Sequence, residues 1–358
     1  MKTVQCETPS LLLDIEAAER NIRRMADYFR GKKASLRPHV KVHKSPFLAQ
    51  KQIAAGARGI TCATITEAEV MADSGVNDIL IANEIVGEGK LRRTATLGKC
   101  CQLAVAVDNV ENARQISSAA SKMNSRIGVL VDVNLGSKLE GVLDRCGVSP
   151  GAPAVELANK LAKLKNIEFR GLMGYEGSVR KFPEFESRKE IVKKALGVLM
   201  ETRDLIQDSG LNVTVISCGG TSSYNVVGES PGVTEVQAGT YVFMDRIHSL
   251  QGIDFEVSLT VLTSIVSRPR PEKIIVDAGL KAISVDAGLP TVKEMPELEL
   301  FLLNAEHGHM RIADSSSHLK IGDQLELLPV HVDTTVCLHD HYVIVRRGDV
   351  ERILGIPC

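Results

Sequence analysis

The residues best suited to chemistry stand in three short clusters. The segment Arg37-Pro38-His39-Val40-Lys41-Val42-His43-Lys44 sets a lysine among apolar and imidazole side chains. An amine withdrawn from water loses proton affinity, and a neutral amine can form an imine with a carbonyl. Most lysines are solvated surface charges. Lys41 differs because Val40 and Val42 flank it, whereas Lys44 lies beyond the apolar run and reads as solvated. The second cluster is a pair of glycine-containing turns, Cys218-Gly219-Gly220-Thr221 and Ala238-Gly239-Thr240-Tyr241. Glycine lets the backbone approach an anion closely, and free N–H groups can point at it. Either turn alone is an ordinary strand end; their joint position is what points to a phosphate. The third cluster is His331-Val332-Asp333. Residues two apart on a strand point the same way, so His331 and Asp333 could bind one ion. Imidazole plus carboxylate suits a divalent metal such as Mn²⁺ or Zn²⁺. By spacing alone, two surface polar residues on a strand are the commoner arrangement.

These clusters need a scaffold. Eight β-rich runs are expected at 35–42, 59–65, 78–83, 102–108, 126–134, 168–177, 212–220 and 235–243, with helical apolar spacing between them at 46–55, 67–74, 153–163 and 184–205. Strands separated by helix-length segments imply parallel βαβ units, and eight in a row imply a closed α/β barrel of the TIM type. Residues 14–29 read as a helix ahead of the first barrel strand. Such barrels gather reactive groups at the carboxyl ends of their strands. Lys41 falls at the first such end, Arg145 in the loop after the fifth, Tyr175 at the sixth, and the glycine turns at the seventh and eighth. After about residue 250 the pattern becomes β-rich without intervening helices, at 255–267, 273–277, 324–328 and 341–346, which reads as a separate β domain.

Composition excludes several classes. A chain of 358 residues with net charge −1 has no basic excess for general nucleic-acid binding. No apolar run is long enough to span a bilayer, and the N-terminus lacks the apolar core of a signal peptide. Eight cysteines without a C-x-x-C pair argue against disulfide or zinc-finger frameworks and fit reduced thiols in a cytoplasmic protein.

The lysine segment resembles the cofactor-lysine motif of the D-threonine aldolase and D-serine dehydratase family. These are pyridoxal-phosphate (PLP) enzymes of the alanine racemase fold, fold type III. The resemblance extends through Thr8-Pro9, Thr66-Glu67-Ala68-Glu69, Arg145-Cys146-Gly147-Val148, both glycine turns, Asp277-Ala278-Gly279-Leu280-Lys281-Ala282 and Glu306-His307-Gly308. It implies that the first residues pair with the C-terminal β domain, giving a barrel over 14–250 and a β domain over 1–13 and 251–358. It further implies Lys41 as the Schiff-base lysine, with the phosphate held by Gly219, Gly220, Thr221, Gly239 and Thr240 and with Tyr241 close by. Arg145 would approach the cofactor's phenolic oxygen, and Tyr175 would line the pocket. The loop between Asp132 and Arg145 is longer than the family pattern. The family's metal ligands occupy the positions of His331 and Asp333, and Glu306 and His307 would lie near that site.

The activity so implied is cleavage of a β-hydroxy-D-amino acid to glycine, or a related amino acid, and an aldehyde. Aspartate in the second metal position resembles the aldolase branch, since the dehydratases commonly carry cysteine there. Lys181 stands where the aldolases place a histidine that acts on the β-hydroxyl, so it is the candidate base and also the clearest departure from the pattern. D-Serine-type dehydration and amino-acid racemisation are the alternative reactions, and a non-catalytic PLP carrier is the alternative class. The resemblance implies a homodimer.

Overall fold

The computed structural model describes residues 6–312 and 318–357. The chain divides into two compact units, one of Met25–Gly239 and one of Met1–Arg24 with Thr240–Cys358.

The first unit contains eight parallel strands: β2 (Ser35–Leu36), β3 (Ile60–Cys62), β4 (Asp78–Ile81), β5 (Gln102–Val107), β6 (Ile127–Val133), β7 (Ile167–Gly174), β8 (Val215–Cys218) and β9 (Glu235–Val236). They pair in the order β2-β9-β8-β7-β6-β5-β4-β3. A parallel bridge between His39 and Thr61 links the two ends of that order, so the curled sheet closes as the βα alternation predicts. β6 is buried at every position, as expected of a parallel strand covered on both faces. Helices start where side chains can cap them. Ser45 Oγ accepts from Leu48 N–H ahead of Pro46–Ala54, and Thr64 Oγ1 accepts from Glu67 N–H ahead of Ile65–Asp73. Arg37 braces the closing seam. Its buried guanidinium lies 2.8 Å from Asp78 Oδ1 and 2.9 Å from Glu235 Oε2, tying the region after β2 to the starts of β4 and β9. That arginine, prominent in the lysine segment, has a structural task.

The second unit is a mixed sheet. β1 (Ser10–Asp14) lies between β10 (Leu259–Arg270), to which it is antiparallel, and β16 (His341–Arg346), to which it is parallel. The sheet is completed by β11 (Lys273–Val276), β12 (Thr291–Val292), β13 (Leu298–Leu303), β14 (Gly308–Ile312), β15 (Gln324–Leu328) and β17 (Asp349–Gly355). Leu12, Leu262, Val343 and Val345 form one core cluster, so the amino-terminal strand is packed into the sheet as well as hydrogen-bonded to it. This is the β domain joined by the N-terminal strand. Among the described residues no helix is long and apolar enough to cross a membrane.

Candidate active site

Lys41 does not lie on a strand. β2 stops at Leu36, and Lys41 sits in a 3₁₀ turn, Val40–Val42. Backbone pairing runs on past Pro38 to His39, whose N–H donates to Ala238 O at 3.3 Å, before the chain turns. The lysine is half-buried between buried Val40 and Val42. Burial, and secondarily the charge of Lys41, holds His39 well below the ordinary imidazole range. Burial brings His43 down to about 4, opposed by hydrogen bonds with Gln52 and Ser45. Ser45 N–H donates to His43 Nδ1 at 3.0 Å, so Nε2 carries the proton that faces Gln52 Oε1 at 3.2 Å. Both flanking histidines are therefore neutral. The turn after β9 abuts this one. A Cβ on Gly239 would stand 2.7 Å from His39 O and 2.8 Å from Val42 Cγ2, so only glycine fits without displacing the lysine turn. Glu67 contributes a carboxylate near Lys41 and Lys44. Burial raises its pKa, against the Ala63 N–H bond and the pull of both lysines.

The ends of β6, β7 and β8 also meet. Tyr175, just past β7, is 39% exposed and so presents an open ring face. A Cβ on Gly220 would come within 3.3 Å of that ring. The Arg145 guanidinium lies 5.9 Å from its centroid. Arg145 stands at the far end of the long loop after β6. Asn134 Oδ1 accepts from Arg145 N–H at 3.3 Å, and Asn134 N–H donates to Val148 O at 2.9 Å. The extra residues form an excursion pinned at its base. Arg145 Nη2 lies 3.9 Å from Asp132 Oδ2 and 3.2 Å from Cys146 Sγ. Ligand-type atoms of Glu84, Asp132 and Cys146 lie within 4.8 Å of one another, but Arg145 already supplies their positive charge. Burial pushes Asp132 up to about 7, with Arg145 opposing and Glu84 assisting.

The first glycine turn is tied to a buried acid. Gly220 N–H donates to Ser223 Oγ at 3.1 Å, and Gly219 N–H donates to the buried Glu176 carboxylate. Ser223 O–H donates to Glu176 Oε1. Neither glycine has room for a side chain: a Cβ would stand 3.1 Å from Val227 Cγ1 at Gly219, which has φ +81°, and 3.3 Å from the Tyr175 ring at Gly220. Thr221 is buried beside them. Thr240 and Tyr241 open a 3₁₀ turn in the second unit, where the Tyr241 ring is fully buried and lies 5.6 Å from that of Phe255.

The second unit also holds His331 and Asp333, and the strand argument for them is corrected. His331 is the N-cap of a short helix, Val332–Val336, and Asp333 lies in its first turn. The helical turn still faces His331 Nε2 toward Asp333 Oδ1, 3.9 Å apart. His331 Nδ1 lies 2.7 Å from Asp286 Oδ2. Glu306, expected near this site, is paired with Lys281.

Comparison with known proteins matches this geometry to a lineage. The family model for the alanine racemase N-terminal domain covers residues 13–247, and a serine dehydratase domain covers 258–345. A D-threonine aldolase of Arthrobacter is 38% identical over 98% of this chain and 92% of its own. A 3-hydroxy-D-aspartate aldolase of Paracoccus denitrificans is 37% identical over 100% and 93%. The solved D-threonine aldolase of Filomicrobium marinum superposes with a TM-score of 0.94 at 34% identity, over 98% of this chain and 95% of that one. This chain belongs to the D-threonine aldolase and D-serine dehydratase family.

Set beside that family's pattern, Lys181 is the departure. It ends the 3₁₀ turn Gly177–Lys181 and its side chain is exposed. Four residues escaped notice as contributors: Glu176 beneath the glycine turn, Asp132 and Glu84 beside Arg145, and Asp286 behind His331. Glu176 was visible in the Tyr175-Glu176-Gly177 motif, where burial of the acid was the missing information. Asp286 had no sequence signal, because a loop 45 residues away delivers it.

Proposed function

We propose that this chain is a PLP- and divalent-metal-dependent lyase that cleaves β-hydroxy-D-amino acids to glycine, or a related amino acid, and an aldehyde. The observation that carries this reading is the His331–Asp333 pair, 3.9 Å apart, in a chain that also sets a lysine against a glycine-lined turn. The aldolase relatives support it. The residues fit the cofactor: Gly239 and Gly220 leave room that a Cβ would fill, and Lys41 is flanked by neutral imidazoles. Lys41 would attach PLP. Gly219, Gly220, Thr221, Gly239 and Thr240 would hold its phosphate, with Tyr241 behind them. Arg145 and Tyr175 would hold its ring.

PLP bound there supplies an electron sink for the carbanion left when a bond at Cα breaks. A divalent ion, Mn²⁺ or Zn²⁺, held by His331 and Asp333 would supply a Lewis acid for a hydroxyl oxygen. The chain's own residues do the rest. Neutral His39 and His43 add no imidazolium repulsion to the lysine amine. Arg145, placed by Asn134 and faced by Asp132, keeps a positive charge at the mouth beside Tyr175. Lys181 would take the proton of the β-hydroxyl. A homodimer in the cytoplasm completes the reading.

The second reading is dehydration, and Lys181 favours it. Removing the Cα proton is work Lys41 can do, and it requires no base at position 181. Substrates deuterated at Cα separate the two. D-Threonine and 3-hydroxy-D-aspartate so labelled, with Mn²⁺, are expected to give an aldehyde and glycine that still carries deuterium. Keto acid and ammonia as sole products, with deuterium lost, would replace cleavage by dehydration.

A further inference from the structure

We propose that Asp286 is the positioning residue of the ion site, fixing His331 with its proton on Nδ1 so that Nε2 is the atom offered to the metal. This rests on the reading of His331 and Asp333 as metal ligands given above. Nothing in the motif analysis pointed to Asp286, and the cleavage reaction has no other use for it.

The geometry carries the assignment. An ionised carboxylate can only accept hydrogen bonds. Asp286 Oδ2 lies 2.7 Å from His331 Nδ1, so the imidazole nitrogen must be the donor. In a neutral ring that leaves the lone pair on Nε2, the nitrogen facing Asp333 Oδ1 at 3.9 Å. The other oxygen is held as well. Thr334 O–H and Ser284 O–H each donate to Asp286 Oδ1 at 2.8 Å. The loop bearing Asp286 is in turn fixed to the helix that bears the ligands: Ser284 N–H donates to Thr335 Oγ1 at 3.3 Å, and Thr335 O–H donates to His331 O at 3.0 Å. The carboxylate is thus pinned on both oxygens and cannot rotate away without breaking bonds to three side chains. A carboxylate behind a ligating imidazole orients the ring and raises its basicity toward the metal, and removing such a partner typically weakens metal binding by about 10–100-fold.

Asp286→Ala and Asp286→Asn separate this from a packing role. Mn²⁺ alone is titrated into the cofactor-loaded full chain and free Mn²⁺ is read by electron paramagnetic resonance, with His331→Ala as the control. Asp286→Ala is expected to bind Mn²⁺ about 10–100-fold more weakly. Asp286→Asn, whose amide oxygen still accepts from Nδ1–H but carries no charge, should recover most of that loss. Bound cofactor absorbance should be unchanged in both. Wild-type affinity in Asp286→Ala, with His331→Ala deficient, would overturn the role of Asp286 alone. Mn²⁺ binding that His331→Ala leaves intact would overturn the ion-site reading itself. Should Asp286→Ala not fold, the metal-free wild type answers the same question. Nitrogen-15 histidine spectra must show His331 protonated on Nδ1, and an Nε2-protonated ring would refute the assignment.

Discussion

The two units hold their reactive groups by opposite means. In the barrel, Lys41, Arg145, Tyr175 and the glycine turns come from the ends of five different strands, and each is placed by backbone geometry: a 3₁₀ turn after β2, a pinned loop after β6, and glycines where a Cβ would collide. In the β unit, His331 and Asp333 come from the start of a five-residue helix, with the Asp286 carboxylate 2.7 Å from His331. A distributed site is rigid because the whole barrel over-determines it. A local pair can be tuned or lost by changing one side chain, with the fold untouched. The cofactor side should therefore respond to backbone-altering changes, and the ion side to changes of hydrogen-bond partner.

The largest effect is expected from Lys41→Ala. It should remove the visible absorption of the bound cofactor and lower turnover by about 10³-fold or more, roughly 4 kcal/mol in the barrier. Borohydride trapping of the wild type followed by peptide mapping should label Lys41. A label on Lys44 or Lys281 would move the attachment point and break the comparison at its first member.

A smaller effect follows from shape alone. Gly239→Ala places a methyl 2.7 Å from His39 O, so the lysine turn must shift. Overpacking of this kind costs about 1–3 kcal/mol. The variant should melt lower and release PLP more readily on dilution. Retention of PLP equal to wild type would show that the turn is not part of the cofactor's seat.

The smallest effect concerns acidity at the mouth. Asp132 is pushed up to about 7, chiefly by burial. A carboxyl whose folded pKa is raised takes up a proton on folding, so its contribution grows unfavourable as pH rises from the ordinary carboxylate range toward 7. Cofactor-free wild type should thus lose stability across that window in denaturant melts, and Asp132→Asn should flatten the slope. Identical slopes would mean that Arg145 neutralises Asp132 fully.

The barrel and the β unit were legible in the sequence because period-3.6 and period-2 patterns record burial directly. The details that decide geometry were not. The chain turns just after His39, so Lys41 sits on a 3₁₀ turn where the apolar run suggested a strand. His331-Val332-Asp333 alternates as a strand would, yet Thr334 and Thr335 fold it into a helix through bonds to Asp286 and to His331 O. The glycine turn was visible in the sequence, but the buried Glu176 that bonds Gly219 N–H was not. The last two draw on partners distant in sequence, Asp286 and Glu176, which local pattern cannot encode.

The division of labour between the two units is tested most directly by exhaustive chelation of the purified, cofactor-loaded protein, with metal content measured alongside turnover of D-threonine. Metal-free protein should lose most of its activity while keeping its visible cofactor band, and Mn²⁺ should restore turnover without changing that band. Full activity in protein shown to be metal-free, or loss of the band together with the metal, would contradict the account.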